Sequence, residues 1–358
     1  MFIEISHGDQ RLRLSTRGAM ILGWDPGLGS SVLDGYRSAA EQEELDGFRN
    51  AVLVPWPNRT ANALWDDDGV ARSTLGVTNE EGLHGLVWGL EFTPVGLELG
   101  DGDAAQADHV ELVATIPDSS AFRGPIEVRI RYDISIPGEL GVTVFARNGA
   151  GRPVPIGLGW HPYFTVASLA EARLWLPATE RIVVDGRLLP LEGEAAFVPI
   201  DEGTGTRAAP VAGAGVPVRP APAWVPAADF LREINLHDAL DSAFTGLHFD
   251  GGAATAYVDT GLGYGLSIAM GRSRSLPAGC AGSPSGSAQA DRAAKPAPCR
   301  ANFHVFTGAP LKRDPMKSIA IEPCSTMANM LNRPEEKARM MVPVGGECEL
   351  NVRVALMR

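Results

Sequence analysis

The stretch "IEVRIRYDISI", residues 126–136, decides the fold. Ile126, Val128, Ile130 and Tyr132 alternate with Glu127, Arg129, Arg131 and Asp133. A period of two places the apolar set on one face of an extended chain and the charged set on the other. The same alternation recurs in "FIEIS" (2–6), "RLRLS" (11–15), "VELVATI" (110–116), "LGVTVFARN" (140–148), "ARLWLP" (172–177), "RIVVD" (181–185), "SIAIEP" (318–323) and "ELNVRVAL" (349–356). Gly, Pro, Asn and Asp punctuate these runs. Helical patterning is scarce: "SAAEQEELDGFRN" (38–50) and "AADFLREINL" (227–236) each predict one short helix. Strands from end to end, without alternating helices, predict an antiparallel all-β fold, either a sandwich or a barrel.

The chain has 358 residues, 45% of them apolar and 21% charged, an ordinary balance for a globular protein. Its formal net charge of −12 argues against nucleic acid or an anionic membrane surface as partner, since phosphate binding needs concentrated Lys and Arg. The N-terminal "MFIEISHGDQRLRLST" lacks the features of a signal peptide, and no run of ~18 apolar residues could span a membrane. A cytoplasmic location is expected. Four cysteines without a CxxC predict neither a disulfide framework nor a structural metal site. Residues 203–227 and 271–300 lack periodic apolar positions. The second is expected to be a flexible surface insertion within a single β-domain spanning 1–358, with a domain linker as the alternative. Cys280 and Cys299 bracket it, and their pairing is left open.

Several polar residues could carry chemistry. His161 lies among aromatic residues in "GLGWHPYFTVA" (157–167), as either a packed strand residue or a proton-transfer group. Glu322 precedes Pro323, which would end the strand "SIAIE" and leave the carboxylate at a cleft or in solvent. Arg59 follows Pro55-Trp56-Pro57, a rigid run whose indole could offer a flat surface to a sugar. His84 in "EGLHGLVWG" sits between glycine-permitted turns, and Asp241 in "DALDSAFTGL" reads equally as a cap or turn residue. No Walker loop, GxGxxG, HExxH or nucleophile elbow occurs, so nucleotide, hydride and serine-hydrolase chemistries gain no support.

Taken in order, "PNRT", "LHG", "WHPYF", "LDSAFTGL" and "IAIEPCST", with Asn332 beyond, resemble the aldose 1-epimerase (galactose mutarotase) family. The resemblance implies a large antiparallel β-sandwich, the galactose mutarotase-like supersandwich. It implies an enzyme that interconverts the α and β anomers of a free aldose by acid–base ring opening, with no cofactor and no metal. Glu322 would be the general base, and His161 the general acid at the ring oxygen. Arg59, His84 and Asp241 would orient the sugar. His304 in "NFHVFTG" stands where a Gln is often found and is a further candidate for the pocket; Trp160 replaces a common Asn. The reference values of ~4.3 for Glu and ~6.5 for His leave a window in which carboxylate and imidazolium coexist. Two alternatives remain at this point. One is a hexose-6-phosphate 1-epimerase, for which Lys312 and Arg313 would supply positive charge; the other is a carbohydrate-binding protein without turnover. The expected partner is a monosaccharide, and the expected assembly is a monomer or homodimer.

Overall fold

The computed structural model of the chain describes residues 1–75, 81–96, 105–200, 220–236, 239–276 and 300–358. Among them the chain forms a ten-stranded sheet, an eight-stranded sheet, a four-stranded sheet and two strand pairs. Nearly all neighbours run antiparallel; the parallel ladder is Phe2–His7 against Ala105–Gln106. The ten-stranded sheet is centred on Glu347–Met357, Glu139–Asn148, Ile126–Asp133 and His109–Ile116. The eight-stranded sheet orders Phe197–Pro199, Glu180–Ile182, Asp241–Thr245, Asn302–Phe306, Ser318–Cys324, Gly159–Trp160 and Val52–Leu53, with Tyr163–Thr165 also beside Ser318–Cys324.

Alternation does what the sequence requires of it. Ile126, Val128, Ile130 and Tyr132 are each fully buried, while Arg129 reaches outward to Glu347 at 3.0 Å. One continuous core joins this sheet to Phe244, Phe303, Val305, Ile319 and Ile321 of the eight-stranded sheet. Burying each such side chain contributes ~1.5–3 kcal/mol. That exceeds the ~1 kcal/mol span of intrinsic strand propensity, so the face pattern dictates the register.

Two readings need correction. The stretch 227–236 forms no helix. Arg232–Ile234 is a strand paired with Leu174–Leu176, because Ile234 and Leu236 alternate into the core. Pro323 does not end its strand either. Ser318–Cys324 runs through it, and Phe303 opposes it. Ile321 N donates to Pro162 O at 3.2 Å, so odd-numbered residues address that side of the strand. There the neighbouring chain leaves the ladder between Trp160 and Tyr163, and the missing proline N–H costs no strand pairing.

The expected helix near residue 38 is present as Ala39–Glu44, capped by Ser38 Oγ accepting from Glu41 N. The segment 271–300 opens with Arg274–Leu276 paired to Glu347–Met357; its residues 277–299, with Cys280 and Cys299, lie outside the described residues. So do residues 201–219 of the other low-periodicity stretch. Cys324 and Cys348 are free and buried. Among the described residues no helix is long and apolar enough to cross a membrane.

Candidate active site

The eight-stranded sheet has one face in the core, and the other carries a row of polar side chains. Phe303 and Val305 point into the core; His304 and Phe306, one residue out of phase, point away from it. His304 lies directly opposite Glu322 in the ladder. Asp241 is diagonal to His304, since Ala243 is its direct partner. On the far side, Tyr163 opposes Ala320, which shares the face of Glu322. His161 lies two residues before Tyr163, and their rings stack at 5.1 Å and 7°.

This face lines a cavity of about 220 Å³, with Asn58, Arg59, His84 and Leu188 contributed by loops and Phe48 by the short 3-10 helix Asp46–Phe48. All six residues singled out from the sequence, Arg59, His84, His161, Asp241, His304 and Glu322, line it. His161 Nε2 lies 3.3 Å from Glu322 Oε1, and both residues are buried, 4% and 2% exposed. His161 is held by backbone on both sides: its N–H donates to Ala51 O and its carbonyl accepts from Asn50 N, each at 2.9 Å. Two buried atoms of the pair, His161 Nδ1 and Glu322 Oε2, have no hydrogen-bond partner among the described residues. Buried polar atoms of that kind are uncommon, and here both belong to ionisable side chains lining the cavity.

A second ionisable pair adjoins the first. His304 Nε2 lies 2.6 Å from Asp241 Oδ1. Asn58 Nδ2 approaches His304 Nδ1 at 3.4 Å, while Asn58 Oδ1 accepts from Arg59 N–H at 2.8 Å. His84 is fixed by a reciprocal pair of bonds. Its backbone N–H donates to Asn58 O at 2.9 Å, and its Nδ1 accepts from Asn58 N–H at 3.3 Å. The ring proton is thereby assigned to Nε2. Its φ of 63° is in the left-handed region, a strained conformation for a non-glycine residue. Gly85, next in the chain, passes so close to Val54 that a Cβ would fall 2.2 Å from the Val54 carbonyl oxygen.

Burial reverses the protonation that ordinary reference values suggest. Desolvation pushes the Glu322 carboxyl up to about 8, against the opposing pull of His304. Desolvation pushes His161 down to about 3, helped by the positive charge of His304. The single proton of the pair therefore rests on Glu322, and His161 is neutral. His84 is also driven well below its usual value, first by burial and then by His161.

Three further details concern residues outside the acid–base pair. Trp56 is no sugar platform: it is fully buried, donates Nε1–H to Gly82 O at 2.6 Å and packs on Phe122. Phe48, Tyr163 and Phe306 line the cavity instead. Lys312 turns to Glu44 and Arg313 to Asp34 and Glu41, and neither lines the cavity. Asn332 donates to Leu64 O and Asn329 Oδ1 rather than reaching the site. Among the described residues no group of three His, Cys, Asp or Glu side chains is placed to hold a metal ion.

Solved structures share this architecture. A putative aldose 1-epimerase from Escherichia coli K12 aligns over 99% of this chain and 98% of its own, with TM-score 0.68 and 18% identity. The GalM/aldose epimerase homologue of C. elegans aligns over 100% and 99%, with TM-score 0.70 and 15% identity. Galactose 1-epimerase from Lactobacillus acidophilus aligns over 99% and 98%, with TM-score 0.64 and 13% identity. The fold is thus the galactose mutarotase-like β-sandwich. The sequence profile described as aldose 1-epimerase matches residues 1–201, and the chain belongs to that family. YihR, an uncharacterized protein of Escherichia coli K12, is 29% identical over 143 residues. That match covers 39% of this chain and 44% of YihR, less than half the relative's length. Asp241, His304 and Glu322 lie beyond the family match, so geometry carries their assignment.

Proposed function

We propose that the protein is an aldose 1-epimerase acting on a free monosaccharide, with Glu322 and His161 as its acid–base pair. The observation that carries this reading is the buried contact of 3.3 Å between His161 Nε2 and Glu322 Oε1 in the site cavity. The anomeric hydroxyl and the ring oxygen are bonded to the same carbon. An acid and a base that act on both must therefore lie close together, and this pair does. The cavity is smaller than the ~300–1,000 Å³ of drug-sized pockets, which suits one sugar.

In the reacting state Glu322 is a carboxylate and His161 an imidazolium, reached when the shared proton passes from Oε1 to Nε2. Glu322 takes the anomeric O–H proton while His161 gives its proton to the ring oxygen. The bond between C1 and the ring oxygen breaks, and C1 becomes an aldehyde. Rotation about C1–C2 and closure by the reverse transfers give the other anomer. Ring opening returns the pair to carboxylic acid and neutral imidazole, the protonation that burial favours. Arg59 and His84 donate to sugar hydroxyls, and Asp241 accepts from one through Oδ2.

The test is anomer exchange by NMR or polarimetry over a panel of free aldoses and their 6-phosphates. At least one free aldose should be accelerated well beyond spontaneous mutarotation. The phosphates should react more slowly, since Lys312 and Arg313 are engaged elsewhere. Binding without accelerated exchange for every sugar would sink the enzymatic reading. The rate should follow a bell in pH whose alkaline limb lies near 8, where the pair loses its last proton. An alkaline limb at ~6.5, the ordinary imidazole value, would contradict the inverted pair.

Arg59→Ala should raise KM about tenfold or more with a smaller change in kcat if its contacts are equal in ground and transition states. Steady-state kinetics on the best sugar would check this, and an unchanged KM would remove Arg59 from the binding set.

A further inference from the structure

We infer that Asp241 and His304 form a charged pair that positions Glu322 electrostatically as the base, without His304 exchanging protons with the sugar. The inference rests on the epimerase reading for its consequence in turnover, but not for its structural basis.

Three adjacent strands bring Asp241, His304 and Glu322 into a row on one sheet face. His304 sits in the middle, bonded to Asp241 at 2.6 Å and opposite Glu322 in the ladder. An imidazole placed between two carboxyl groups gains from both when it is positively charged. Burial opposes that charge, yet the Glu322 carboxylate, once formed, and the bond to Asp241 outweigh it, and His304 is raised from its usual value. Burial would likewise raise Asp241, but its bond to His304 holds it below the usual range. Up to at least the ordinary imidazole value of ~6.5 the pair is thus an imidazolium and a carboxylate.

The other groups facing Glu322 explain why His304 matters. His161 touches it but is neutral. The Tyr163 and Cys324 side chains are driven to their neutral forms, chiefly by burial. Arg59 acts from the loop above, more weakly than His304, and Asp241 repels. His304 is therefore the leading force that opposes desolvation of the Glu322 carboxylate. On its far side the ring's hydrogen-bond contact among the described residues is Asn58 at 3.4 Å, a weak one that a protonated Nδ1 would give up.

His304→Gln keeps polar bulk and removes the charge. The Glu322 carboxyl, followed by carbon-13 NMR in the full chain, should titrate near 8 in the parent and at least one pH unit higher in the variant. The alkaline limb of the rate profile should move up by the same interval. The plateau rate should fall by less than about tenfold per unit, because losing the His304 charge also raises His161 and restores part of the carboxylate–imidazolium form. A purely structural role would lower the rate without moving the limb. Asp241→Asn offers a second route: the His304 ring, followed by its imidazole resonances, should titrate at least one unit lower than in the parent. A parent His304 that titrates below ~6.5 would overturn the inference, as would a Glu322 midpoint unmoved by His304→Gln. Both titrations are read without substrate. They decide the pair's role even if no sugar is turned over, an outcome that would remove the epimerase reading by itself.

Discussion

Glu322→Gln is expected to lower the catalysed rate of anomer exchange by about 10²–10⁴-fold while the fold persists. Gln keeps the shape of the side chain but has no basic oxygen, so the anomeric proton has no acceptor in the site. His161→Asn should cost a similar factor. The two groups serve one proton relay across 3.3 Å, so the double variant should be only slightly slower than the poorer single one. Additive losses would show two independent roles.

The same variant should be more stable than its parent at alkaline pH. The folded Glu322 carboxyl titrates near 8, whereas the unfolded one titrates at ~4.3. Between these values the folded chain holds a proton that the unfolded chain has released. Stability therefore falls as pH rises through this window, by up to ~1.4 kcal/mol per unit. His161, depressed to about 3, works in the opposite direction, but only up to its unfolded value of ~6.5. It is present in both proteins and drops out of the comparison. Glu322→Gln removes the carboxyl contribution, so urea melts should coincide near pH 4 and separate above pH 5. By pH 9 the variant should lead by on the order of 5 kcal/mol. Coincident stabilities at pH 9 would show that Glu322 is not held protonated.

The strand framework was legible because each strand buries one face. In "NFHVF" the alternation that sends Phe303 and Val305 into the core also places His304 and Phe306 on the opposite face. Tyr163 could have been found by the same signal, since it lies two residues after His161 in an extended stretch. Asn58 was within reach too, as a turn residue after a proline, and it holds His84, Arg59 and His304 together. Other features were not legible. Period two cannot say that a proline lies beside a break in the neighbouring strand, so Glu322 read as a strand-end residue. Nor can local sequence say how deep Trp56 lies. The inverted protonation of His161 and Glu322 arises from burial by segments far apart in the chain. Reference pKa values carry no such information.

The deepest support of the site is predicted to lie behind it, at Arg49. This guanidinium is fully buried, donates to Asp34 Oδ2 at 2.5 Å and to Arg313 O at 2.8 Å, and lies 4.9 Å from the centre of the Tyr163 ring. Tyr163 is pinned by its hydroxyl, which donates to Gly47 O at 2.8 Å, and its ring stacks on His161 and meets Phe306 edge-on. Removing one partner of a buried ion pair typically costs ~3–5 kcal/mol, because the other charge is left without compensation. Asp34 retains Arg313 at 2.8 Å and Ser318 Oγ at 3.0 Å, which moves the expectation to the low end. Arg49→Met should therefore destabilise the protein by about 3 kcal/mol in urea melts at pH 7. The loss should shrink when Asp34 is also replaced by Leu, since no charge is then stranded. The substitution also removes the cation over Tyr163, so the ring that backs His161 is held less firmly. The rate on a substrate sugar should then fall through kcat more than through KM, because the acid is misplaced while the hydroxyl-binding groups are not. A stability loss below about 1 kcal/mol would show that the Asp34 network closes without Arg49.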